Sequence, residues 1–195
     1  ASARSGVIGG GGAAAAAWAM LAFDRDTPGR VAPQRIFAEA AWHVEDVSSV
    51  SIEREGGSTH VFEVSGDGWQ QSEPFEVGVN GLAIRELIEA AADLTSSRAL
   101  PIAELEDGTT LASLGLDPPL ATVTLEVGSQ RETFALGRRT VAGRAWLRRG
   151  ASPSVLLVND ALHAIGLDQD VRTWRRRDLF RGAGAPEGIT ITNGA

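Results

Sequence analysis

Nineteen consecutive residues, 5–23, carry no charge, and the run ends in AAAAAWAMLAF with Arg4 before it and Asp24, Arg25 and Asp26 after it. As a helix the run is about 28 Å long at about 1.5 Å per residue, close to the roughly 30 Å hydrocarbon layer of a bilayer. Three readings compete for such a segment: an uncleaved anchor, a signal peptide cut at a small-residue site such as Ala17-Trp18-Ala19, or a flexible Gly/Ala tail. The uncleaved anchor leads. Residues 9–12 are all glycine and lower both hydrophobicity and helix propensity, so insertion rests on Trp18, Met20, Leu21 and Phe23 with the alanines. Residues 1–34 are therefore expected to form a single-pass transmembrane helix and a turn-rich linker, with the folded part extracytoplasmic. Arg4 on one side against Arg25, Arg30 and Arg35 on the other does not favour the N-inside arrangement.

Beyond the linker, apolar periodicity switches between two and about 3.6. Val47, Val50 and Ile52 predict a strand to about Arg54, residues 55–58 a turn, and residues 59–64 the return strand of a hairpin. Trp69 reads as core packing across the inner face of that hairpin, and Pro74 closes the segment. Asn80 is placed to cap a helix whose apolar positions are Leu82, Ile84, Leu87, Ile88, Ala91 and Leu94. A helical turn over 109–114 is stopped by residues 115–119, and residues 120–127, 131–136, 143–148 and 154–158 predict an antiparallel meander. Asn159 or Asp160 then caps a short helix through Ile165. The expected fold is α+β: hairpins and a meander, one main helix, one or two short ones, over a domain of residues 35–176. Residues 177–195 stand apart. There Leu179-Phe180 followed by Ile189-Thr190-Ile191 echoes Ile36-Phe37 followed by Val50-Ser51-Ile52, as though a second, truncated repeat began.

Charge is divided along the chain. Residues 24–137 hold 7 Arg against 20 Asp and Glu, whereas residues 138–181 hold 10 Arg against 4 Asp. The net charge of −7 disfavours a general nucleic-acid binder, which must neutralise phosphates. The basic end gathers Arg138, Arg139, Arg144, Arg148, Arg149, Arg172, Arg175, Arg176 and Arg177 as a candidate surface for an acidic partner or anionic lipid headgroups. A solvated face offsetting the acidic one is the plainer explanation.

Little chemistry is written in the residues. With no cysteine there is no thiolate nucleophile and no Cys-based metal site, and with no lysine the Gly-rich run at 9–12 is no Walker A loop. His43, His60 and His163 are far apart and lack metal-binding spacing. Asp160 and His163, with Ser152 or Ser154 nearby in sequence, are the one arrangement from which a hydrolase site could be assembled, yet no Gly-x-Ser-x-Gly elbow is present. The bland alternative is a half-exposed helical histidine and a capping aspartate. No cofactor is expected.

Several stretches carry a resemblance. They are the apolar N-terminal segment, the strand ending near Val50-Ser51-Ile52, Trp69 with the following Pro74, and a helix ending in Ser97-Arg98-Ala99-Leu100. Leu114-Gly115-Leu116-Asp117-Pro118-Pro119 and Phe134-Ala135-Leu136-Gly137 before a strand pair complete the set. In this order they resemble DUF4340, a family of bacterial envelope proteins, over roughly residues 36–181. Trp146 stands where the family pattern leads one to expect tyrosine, which keeps an aromatic and loses a hydroxyl. The resemblance implies an envelope protein often encoded beside transporter components of the gliding-motility type, and it implies no catalytic residues. The expected function is thus a non-catalytic, membrane-anchored binding or scaffold module with a protein or polymer partner, accessory to such an ABC transport system. The alternative is an envelope hydrolase with its site near residues 152–163.

Overall fold

Alternation of buried apolar and outward polar residues builds one antiparallel sheet, of ten strands among the described residues, in this computed structural model. The structure describes residues 33–37, 43–66 and 68–176; the expected anchor residues Trp18, Met20, Leu21 and Phe23, Arg177 and the repeat echo at 179–191 lie outside them. The strands are β1 (Gln34–Arg35), β2 (Val47–Arg54), β3 (His60–Ser65), β4 (Gly68–Glu73), β5 (Val77–Gly78), β6 (Thr95–Pro101), β7 (Ala121–Val127), β8 (Gln130–Arg139), β9 (Arg144–Arg149) and β10 (Ser154–Asn159). Their spatial order is β1-β6-β10-β9-β8-β7-β2-β3-β4-β5. The meander β7 to β10 is therefore the centre of the sheet, and the β2–β3 hairpin extends it on one side through β7.

Helix α1 (Gly81–Ala92) starts where Asn80 Oδ1 accepts a hydrogen bond from the Leu82 amide at 3.1 Å, the expected cap. Its Ile84, Leu87, Ile88 and Ala91 are fully buried and pack in the main core with Val50, Ile52, Phe62, Val123, Leu125, Phe134, Leu136 and Leu147. Burying each side chain of this size is worth about 1.5–3 kcal/mol, which is why a half-covered antiparallel sheet needs the helix. Residues 102–120 cross the opposite face of the sheet. There Leu114 and Leu116 bury Val155, with Ala135 and Trp146 alongside, in a second small core.

Three expectations are corrected. Residues 68–73, where the sequence predicts core packing by Trp69 and no strand, form β4, a third strand paired with β3. Residues 95–101, which the resemblance placed at a helix end, form β6, paired with β10 across Pro101 to Ser96. Leu82 does not face the core. It lies 59% exposed, because the buried stripe at positions 84, 87, 88 and 91 is centred on the far side of the helix from position 82. The short helix after β10 is present as α2 (Ala161–His163), which widens into a π-helical turn, Ala164–Asp168. Asp160 precedes it without a side-chain cap. The described residues thus form an α+β fold, mostly antiparallel sheet with a few short helices.

Candidate functional site

Most of the arginines singled out from sequence are engaged inside the domain. Arg139 donates to both Asp168 carboxylate oxygens at 3.1 and 2.8 Å and lies 3.6 Å from Asp160. Arg148 donates to the Ser152 carbonyl at 2.9 Å, and Arg149 grips Glu132 through two bonds of 2.9 and 2.7 Å. Arg172 holds Asp170 at 2.7 Å and pulls its carboxyl down to about 2, while Asp170 caps the turn Val171–Trp174 through the Arg172 amide. Arg175 donates to Gln71 at 3.4 Å and lies 4.4 Å from the centre of the Phe75 ring. Among the described residues Arg138, Arg144 and Arg176 make no side-chain hydrogen bond or ion pair. Of the described members, Arg138, Arg139, Arg144, Arg148 and Arg149 lie on β8 and β9, and Arg172, Arg175 and Arg176 lie in or just after the turn Val171–Trp174.

Ser152 and His163 do not converge. Ser152 Oγ accepts from the Ser154 amide in the β9–β10 turn, at 3.1 Å. The His163 ring instead donates through Nε2 to the Trp146 carbonyl at 3.0 Å, level with Leu157 on β10. That level lies three residues inside β10, whereas Ser152 lies before the strand begins, in the turn closed by the Ser152 amide on the Arg149 carbonyl. His163 is fully buried rather than half-exposed, and burial pushes its imidazole down to about 4, with Nδ1 left without a hydrogen-bond partner. Among the described residues no three His, Asp or Glu side chains group as a metal site.

One hollow combines apolar surface with unpaired charge. Val64 and Trp69 face each other across β3 and β4, one pair beyond the buried Phe62 and Gln71 on the same face of the sheet. That stripe of core side chains runs out past the first turn of α1, so Val64 is 51% exposed and Trp69 is half-buried. Leu82 and Arg85 sit one helical turn apart on the same outward flank of α1 and border the hollow, which has a volume of about 650 Å³. A Cβ at Gly81 would stand 3.4 Å from Trp69 Cδ1, in ordinary van der Waals contact with the indole.

The fourth side of the hollow comes from the far end of the domain. The Arg176 amide donates to the Gly78 carbonyl at 2.8 Å, the Asn80 amide to the Trp174 carbonyl at 2.7 Å, and Val79 and Arg175 form a single antiparallel bridge. Residues 174–176 thereby lie beside the β5 edge and deliver Arg176 to the hollow, its stem 3.5 Å from where a Gly78 Cβ would be. Neither Arg85 nor Arg176 has an ion-pair or hydrogen-bond partner for its guanidinium among the described residues. Sequence reasoning selected Arg176 and missed Val64, Leu82 and Arg85; the signal for Leu82 was its position off the 84–87–88–91 stripe.

A second hollow of about 450 Å³ lies on the bare half of the opposite face, lined by hydroxyls of Ser49, Ser51, Thr122, Thr124 and Thr133. It has no aromatic floor. Among the described residues no helix is long and apolar enough to cross a membrane.

The profile of a family described as "Domain of unknown function (DUF4340)" matches residues 69–192. No curated protein and no solved structure matches the chain. The match begins at Trp69 of the hollow and takes in α1 and the whole meander; within it the Arg138 amide, next to Gly137, donates to the Leu114 carbonyl at 2.8 Å. With well over half of its length covered, the chain belongs to the DUF4340 family.

Proposed function

We propose that the protein is a non-catalytic binding module of the cell envelope, held at a membrane by residues 5–23, with its sheet domain on the extracytoplasmic side. Its task is to dock a partner subunit, accessory to an ABC transport system of the gliding-motility type. The observation that carries the docking role is the hollow at the end of β3 and β4, where Val64 and Leu82 stay exposed and Arg85 and Arg176 stay unpaired. Exposed apolar side chains of this size, grouped and rimmed by charge, mark interaction surfaces more often than chance exposure does. The uncharged run 5–23 supports the tether, and membership of DUF4340 supports the address.

Two measurements test this reading in cells that make the native chain. Fractionation should recover the protein with membranes, released by detergent and not by salt; recovery in the soluble cytosolic fraction contradicts the tether. A photo-crosslinking residue at position 82 should capture a transport subunit encoded beside the protein, and the same residue at the fully exposed position 141 should not. Equal capture from both positions contradicts the docking role.

A further inference from the structure

Arg85 and Arg176 are both exposed where they border the hollow, so their guanidinium groups are open to an incoming carboxylate. Among the described residues Arg35, Arg139, Arg149 and Arg172 are ion-paired, with Asp93, Asp168, Glu132 and Asp170. Arg85 and Arg176 have no such partner, and together they border this one hollow. Arg85 rises from α1 one turn after the exposed Leu82, and Arg176 approaches from the opposite end of the chain over Gly78. Between them lie the cross-strand partners Val64, which is 51% exposed, and Trp69, which packs against the main core and stays half-open to the hollow. The chain as a whole is acidic, at −7, whereas the lining of this hollow carries two arginines and no carboxylate.

We infer that this hollow binds a short acidic peptide segment of a partner protein, carrying a large aliphatic or aromatic side chain between carboxylates. The apolar side chain lies on Val64, Trp69 and Leu82, and the flanking Asp or Glu carboxylates accept from Arg85 and Arg176. Gly68 at the lip has open space where a side chain would be, which leaves room for the peptide backbone to approach. Charge supplies the specificity and the attraction at long range; the apolar contact supplies the dwell time. This inference rests on the docking reading above and adds the chemistry of the occupant.

The test is calorimetric titration of the 195-residue chain at low salt with three capped hexapeptides. They are Asp-Glu-Leu-Phe-Glu-Asp, its amide counterpart Asn-Gln-Leu-Phe-Gln-Asn, and Asp-Glu-Ser-Ser-Glu-Asp. The acidic apolar peptide should bind saturably, each of the other two at least tenfold more weakly, and its binding should weaken as salt rises. In the variant R85Q/R176Q its affinity should fall at least tenfold with an unchanged melting temperature, since neither side chain has an intramolecular partner to lose. Equal binding of the acidic and amide peptides, or undiminished binding to R85Q/R176Q, overturns the inference. So does failure of the acidic peptide to bind. Crosslinking of a transport subunit from position 82 together with charge-indifferent peptide binding leaves the docking reading standing and removes only the acidic occupant; absence of both removes the two together.

Discussion

Arg149 and Glu132 form a two-bond ion pair across β8 and β9, with Nε and Nη2 donating to the two carboxylate oxygens at 2.9 and 2.7 Å. The same guanidinium lies 4.7 Å from the centre of the Phe37 ring, which in turn meets Phe134 edge-on at 6.2 Å. A residue just after β1 is thereby locked to the middle of the meander. Glu132→Gln should cost about 1–2 kcal/mol, since two bonds to a carboxylate become a single bond from the guanidinium to an uncharged amide oxygen. Phe37→Ala should cost more, about 3 kcal/mol, because it empties a buried aromatic site. Urea unfolding of the two variants checks the order; a larger loss in Glu132→Gln than in Phe37→Ala contradicts it.

His163 links stability to pH. Its imidazole titrates near 4 in the folded domain, against about 6.5 in an unfolded chain, because burial disfavours the charged ring. Between those values the unfolded state holds the proton more readily. The contribution is complete above about pH 6.5 and is lost as pH falls toward 4, to a total of about 3 kcal/mol at about 1.36 kcal/mol per pH unit. Unfolding free energies at pH 7.5, 5.5 and 4.5 should fall accordingly in the native chain, and fall less in His163→Met. An identical decline in both would place the acid sensitivity elsewhere.

Gly137 is required by packing and not by its φ angle. A Cβ there would stand 2.5 Å from the Leu114 carbonyl oxygen and 3.0 Å from Leu116 side-chain atoms, where the 114–120 loop lies against β8. Gly137→Ala should therefore destabilise by about 1–3 kcal/mol through forced separation of the two segments. Gly68→Ala meets nothing within 4 Å and should stay within about 0.5 kcal/mol of the native chain. Thermal melts of the pair distinguish them, and equal melting temperatures would contradict the contact.

The meander was legible in the sequence because its four strands alternate strongly and are bounded by turns such as residues 128–129 and residue 150, so local pattern and tertiary role agree. Strand β4 was not, because Gly68-Trp69-Gln70-Gln71-Ser72-Glu73 has almost no apolar content. Its buried Gln71 is made tolerable only by partners remote from any strand pattern, the Phe75 carbonyl and Arg175. Strand β6 has the same difficulty: Thr95, Ser96, Ser97 and Arg98 are polar, and the strand exists because β10 offers it an edge. The candidate site was legible only through Arg176. Reading the hollow required knowing that residues 174–176 return to the β5 edge, a long-range pairing that no local periodicity announces.

Amide and indole chemical-shift mapping of the isotope-labelled chain, titrated with Asp-Glu-Leu-Phe-Glu-Asp, places the occupant most directly. The largest shifts should fall on Gly66, Gly68, Trp69, Gly81, Leu82 and Arg85, while Ser51, Thr124 and Thr133 on the opposite face stay still. Shifts concentrated on Arg138, Arg144 and Arg148, or on the hydroxyl-lined face, with the hollow unmoved, would contradict the assignment of the docking site.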